Sequence, residues 1–162
     1  MQTYKQIIKD LEQIFEKFDA LYIDRQIAYY EEKHEAVTNW WKAPTKYHGT
    51  KSTNWDDLYT VAGGKGLSQK LRGINVLMAQ DLAVKDAQSV INARNAKMAK
   101  KLEEAGITKV ISNNIEVSSD GFNGYFAVET DKGNQTVTIN TILAGGYNIQ
   151  SLHYRTLIKV RG

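Results

Sequence analysis

IEVSSDGFNGYFAVETDKGNQTVTINTILAGGYNIQSLHYRTLIKVR, residues 115–161, decides the fold. Ile115 and Val117 alternate with Glu116 and Ser118, and Tyr125-Phe126-Ala127-Val128 follows. Val137, Ile139 and Thr141 alternate with Thr136, Thr138 and Asn140. Finally Tyr154, Thr156, Ile158 and Val160 alternate with Arg155, Leu157, Lys159 and Arg161. A period of two sends each set to its own face of a strand. The breaks carry turn chemistry: Asp120-Gly121, Asp131-Lys132-Gly133-Asn134 and Gly145-Gly146. Connections this short join antiparallel neighbours, so the stretch reads as a meander of three to four strands. Such a sheet needs a cover on its apolar face, and only the residues before it can supply one.

Two long helices are legible there. From Thr3 to about Glu35, Tyr4, Ile8, Leu11, Phe15, Phe18, Tyr22 and Tyr29 recur at spacings of three and four, and Ile7, Ile14, Leu21 and Ala28 widen the stripe. Thr3 with Gln6 matches a capping box. A stripe this long must be buried, either on the chain's own sheet or against the same helix of a second copy as a short coiled coil; a homo-oligomer through this helix is the expectation. Residues 76–105 form the second helix, with Leu77, Val84, Ile91, Met98 and Ala105 repeating every seven, Ala83, Ala87, Val90 and Leu102 filling the same face, and Gly106 as its C-cap. Ile107–Ile111 can open the sheet, with Ser112-Asn113-Asn114 as a break. The reading is α+β: residues 1–40 a long helix and dimerisation arm, 41–75 an aromatic-rich irregular region around Pro44, and 76–162 a helix plus antiparallel sheet.

Composition narrows the chemistry. The 162 residues contain no cysteine, which excludes disulfides, thiolate metal sites and a cysteine nucleophile. No apolar run is long enough to span a bilayer and Met1–Asp10 is polar, so a cytoplasmic protein without membrane contact is expected. Net charge is +3. Residues 1–40 hold five Lys/Arg against eight Asp/Glu, residues 41–110 twelve against six, and residues 111–162 four against four. The basic middle suits an anionic partner.

Several constellations carry candidate chemistry. Tyr29-Tyr30, Trp40-Trp41, Tyr47, Trp55 and Tyr59 are interleaved with Lys42, Lys46 and Lys51; Trp40, Trp41, Tyr47 and Trp55 are candidate partner-binding residues, because Trp and Tyr dominate protein interfaces and also stack bases. Asn148, Gln150, His153 and Arg155, beside Gly145-Gly146, are ligand or anion candidates. Arg94, Lys97, Lys100 and Lys101 can lie along phosphates, making nucleic acid the alternative partner. Gly63-Gly64-Lys65-Gly66 lacks phosphate-loop spacing, and Glu31 with His34 gives only one Glu-x-x-His step. Asp56-Asp57 and Asp120 have simpler roles at a helix start and a turn. No catalytic residue, metal site or cofactor is assigned.

Three tail segments, Gly121-Phe122-Asn123-Gly124-Tyr125-Phe126, Ile142 through Gln150, and His153-Tyr154-Arg155, resemble those of small accessory proteins of bacteriophages and mobile elements. The resemblance covers roughly the last third and implies a factor that acts by binding, in some cases by inhibiting a host protein. The expected function is therefore non-catalytic macromolecule binding to a host protein. Nucleic-acid binding through the basic middle is the alternative. A small-ligand or nucleotide-recognising enzyme around residues 145–155 is the third reading.

Overall fold

The structure is a computed structural model that describes residues 3–42, 55–145 and 152–162. Among the described residues four helices, α1 (Tyr4–Lys42), α2 (Trp55–Ala62), α3 (Lys65–Leu71) and α4 (Val76–Glu104), precede four strands, β1 (Ile107–Ser118), β2 (Gly121–Thr130), β3 (Gly133–Gly145) and β4 (Leu152–Arg161). The strands form one antiparallel sheet in the order β1-β2-β3-β4. The expected α+β arrangement, with two long helices and a C-terminal meander, is what the chain adopts. Among the described residues no helix is long and apolar enough to cross a membrane.

Register follows the alternation. Phe122 pairs with Thr141, Gly124 with Ile139 and Phe126 with Val137; Ile139 pairs in turn with Ile158. These residues face the helices. Asn123, Tyr125, Thr138, Asn140, Ile142, Arg155, Leu157 and Lys159 take the alternate positions on the outer face. β1 differs from expectation: Ser112-Asn113-Asn114 continues the strand, and the irregularity is absorbed by register shifts at Ile107/Lys109 and Val110/Ser112.

α1 covers the sheet. Ile7, Leu11, Phe15, Phe18 and Tyr22 join Ile91, Met98 and Leu102 of α4 and Phe122, Phe126, Val128, Val137, Ile139, Leu143 and Ile158 in one core. Phe15 meets Phe122 edge-on with ring centres 5.0 Å apart. The stripe that invited a twin helix is thus covered by the chain itself. At 39 residues α1 is about 58 Å long, and its second half serves a second core. There Tyr30, Val37 and Trp40 pack with Leu58, Ala62, Leu71, Ala79 and Ala83. This is why α1 continues past Glu35: Val37 and Trp40 keep the spacing.

Two local expectations are corrected. In α4 the buried face of the first half is Ala79, Ala83 and Ala87, and Leu77 of the heptad seam is 66% exposed. The bulk of Tyr30, Val37 and Trp40 on the facing side leaves room only for alanines. At the start of α1, Thr3 and Gln6 do not close a capping box: the Thr3 hydroxyl donates to the Thr108 carbonyl at 3.4 Å, and Gln6 Nε2 donates to Asp10 Oδ1 at 2.8 Å. α4 starts on Asn75, whose side chain accepts from Met78 N at 2.9 Å, and stops at Gly106, whose φ of +66° suits glycine.

Candidate functional site

α4 and β4 run side by side. Ala93, Lys97 and Lys101 recur every four residues on one helix face, and Lys101 Nζ donates to the Ile158 carbonyl at 3.3 Å. Two clefts that share Ile158 follow this seam. One, of about 500 Å³, is lined by residues including Ala93, Lys97, Asn140, Ile142, Arg155 and Leu157. The other, of about 340 Å³, includes Lys101, Glu104, Lys132 and Gln135.

The seam unites two sets of residues that the sequence keeps apart. Lys97, Lys100 and Lys101 come from the basic end of α4, and Arg155 from the strand after the glycine pair. Lys159 and Arg161 share Arg155's face of β4. Among the described residues, Lys97, Lys100, Arg155, Lys159 and Arg161 have no hydrogen-bond or ion-pair partner through their side chains. Glu104 is the acidic residue that lines the lower cleft. His153 is exposed on the same strand face. Asn148 and Gln150 lie outside the described residues, as does Tyr47.

Arg94 serves a different role from the one expected. Its Nη1 and Nη2 donate to the two carboxylate oxygens of Asp19, the Nη2 bond at 3.1 Å. Nη1 also donates to the Tyr154 hydroxyl at 3.2 Å, which itself donates to Asp19 Oδ1 at 2.5 Å. The guanidinium lies 4.0 Å from the centre of the Phe15 ring. This network ties α1, α4 and β4 together, so Arg94 is a structural cation and not a free one. Nothing local in the sequence marks it: Asp19 and Tyr154 are 135 residues apart.

Burial, followed by the hydrogen bond to Asp19 and its charge, pushes the Tyr154 hydroxyl well above the ordinary tyrosine value, with Arg94 acting the other way. Tyr30 is raised likewise, by burial and then by its hydrogen bond to Asp86 at 2.5 Å. The folded chain therefore keeps protons that the unfolded chain releases above about pH 10. This contribution to stability is complete below that pH and is lost as pH climbs towards the folded values. Tyr154→Phe should flatten the decline of the urea midpoint above about pH 10; an unchanged slope would show that Tyr154 does not carry it.

The aromatic candidates form a compact group. Trp40 and Trp41 have ring centres 4.9 Å apart, Trp40 and Trp55 6.3 Å, and Trp41 and Trp55 5.9 Å. Trp40 is buried in the second core and donates from Nε1 to Asp57 Oδ2 at 2.8 Å. The Arg72 guanidinium lies 4.0 Å from the Trp41 ring centre. Trp55 alone of the three is largely open, at 45% exposure. Trp40 is thus core, and the face that the group presents is chiefly Trp55.

The remaining polar candidates have structural partners. Glu31 accepts from Gln80 at 2.8 Å, and His34 Nε2 lies 2.6 Å from the Ile74 carbonyl. Among the described residues, no three of the His, Asp and Glu side chains are grouped as a metal site.

Comparison with known proteins finds no family model, curated protein or solved structure that matches this chain.

Proposed function

We propose that this protein is a non-catalytic binding protein that holds a single-stranded nucleic acid along the α4–β4 seam and the adjoining outer face of the sheet, as an accessory factor in the cytoplasm of a host cell. The observation that supports this is the set of four cations, Lys97 on the cleft wall and Arg155, Lys159 and Arg161 on one face of β4, without carboxylate partners among the described residues. Unneutralised cations on one margin attract polyphosphate. Beside them the outer face offers Tyr125 in the row Asn114, Tyr125, Thr138 and Lys159, a polar platform with one exposed ring on which a base can stack. A single copy suffices for this role.

The test is fluorescence anisotropy with a labelled single-stranded oligonucleotide over a salt series. Four phosphate contacts give a slope of log K against log salt of about −2.8, and Lys159→Gln with Arg161→Gln should bring it to about −1.4. Absence of binding at low salt would remove the reading.

A second reading, an inhibitory factor acting on a host protein, is supported by apolar side chains on the same outer face: Ile142 and Leu157 are 55% and 54% exposed. They lie beside Arg155 and Lys159, which suits a partner with acidic and apolar groups together. Capture of one protein from a nuclease-treated bacterial lysate, lost on Leu157→Asp, would favour this reading over the first.

A further inference from the structure

We propose that the cleft of about 500 Å³ at the β4 edge, lined by α4 and by outer-face residues of β3 and β4, is a nucleotide seat, in which Lys97 and Arg155 hold a phosphate and Asn140 meets the edge of the base. For a nucleotide within a strand the inference rests on the nucleic-acid reading above; for a free nucleotide it stands alone.

Three features of the cleft support it. Lys97 reaches it from a helix and Arg155 from a strand, so two cations meet on one cavity without neutralisation by any described residue. Arg94 also lines it, but its charge is matched by Asp19, so the net positive charge comes from Lys97 and Arg155. An arginine fork and a mobile ammonium suit the oxygens of a phosphate.

Asn140 adds the second feature. Its Oδ1 is shut off from solvent and has no hydrogen-bond partner among the described residues, a condition that buried polar atoms rarely tolerate. With that oxygen enclosed, the carboxamide offers a base edge one polar end at a time, which end depending on its rotation. A simple inorganic phosphate or a fatty carboxylate has no such edge. The third feature is the wall: Ala93, Ile142 and Leu157 are apolar, and Ala93 leaves room beside them for a flat ring. Phosphate, a polar base edge and a flat apolar body together describe a nucleotide unit.

The full chain is titrated by anisotropy with three probes: a dA oligonucleotide, an abasic strand of equal length, and a labelled free adenine nucleotide. Expected is tighter binding of the dA strand than the abasic strand, by roughly tenfold for one satisfied polar pair. Asn140→Leu should bring the ratio of dA to abasic affinity to about one. Lys97→Gln with Arg155→Gln should weaken the dA strand more than a charge-matched control, Lys17→Gln with Lys109→Gln, which removes cations from α1 and β1. Circular dichroism confirms that the variants fold; Asn140→Ser is the second variant if Asn140→Leu does not. Strand binding that is indifferent to base and to Lys97 and Arg155 would overturn the seat and leave the nucleic-acid reading intact. Free-nucleotide binding lost in the double variant, with no strand binding, would support the seat and overturn that reading. Failure of all three probes would overturn both.

Discussion

Asp19→Ala should lower stability by about 3 kcal/mol, the low end of the cost of breaking a buried ion pair. The side chains of Arg94 and Asp19 are 10% and 18% exposed, so solvent screens the pair little. Without the carboxylate, a guanidinium lies between Phe15 and Tyr154 with, among the described residues, Asn95 and the tyrosine hydroxyl to receive its donors. For a chain of this size the loss corresponds to a fall in Tm of roughly 6–12 °C. The double replacement Asp19→Leu with Arg94→Met should recover much of it, because apolar side chains of similar volume replace such pairs at little cost. Urea denaturation of the four proteins closes the cycle. A single-variant loss below about 0.5 kcal/mol would show that the network contributes little.

Phe126→Ala should cost about 4 kcal/mol, as the removal of a fully buried ring leaves a cavity beneath α1. Gly124, two residues earlier on the same face, shows how tightly that ring is held. A β-carbon there would sit 3.0 Å from Phe126 Cε2 and 3.6 Å from Leu11 Cδ2. The glycine is therefore a packing device: it lets the aromatic ring lie over its own strand and meet Leu11 from the helix. Gly124→Ala should cost less, about 1–3 kcal/mol, by overpacking. Phe126→Leu combined with Gly124→Ala refills part of the space and should be milder than Phe126→Ala. Equal losses for all three would mean that the site relaxes freely, against the close contacts seen.

The meander was readable because each strand alternates and each break is chemically marked, as at Asp131-Lys132-Gly133. Both long helices were readable from their apolar spacing, including the stop at Gly106. What covers α1 was not, because a stripe at Ile7, Leu11, Phe15 and Phe18 looks the same whether it meets Phe122 and Ile139 of its own sheet or a twin. The heptad through Leu77 and Val84 misled for a related reason: alanines carry a weak apolar signal, yet Ala79 and Ala83 make the contact because large residues on α1 and α2 fill the gap. The candidate site was half legible. Lys97 and Arg155 each stood out as a cation near an ordered element, but their meeting across 58 positions of sequence depends on how α4 lies along β4. Asn140 gave no signal at all; as a polar residue on an outer strand position it looks like ordinary solvated surface until its oxygen is found enclosed.

The two rims of the sheet have one more implication. β1 carries two register shifts, and β4 has Lys101 seated on a carbonyl that would otherwise point outward. A kinked rim and a capped rim are poor templates for a neighbouring backbone. Copies brought together at high local concentration can therefore stay separate molecules instead of zipping into fibrils.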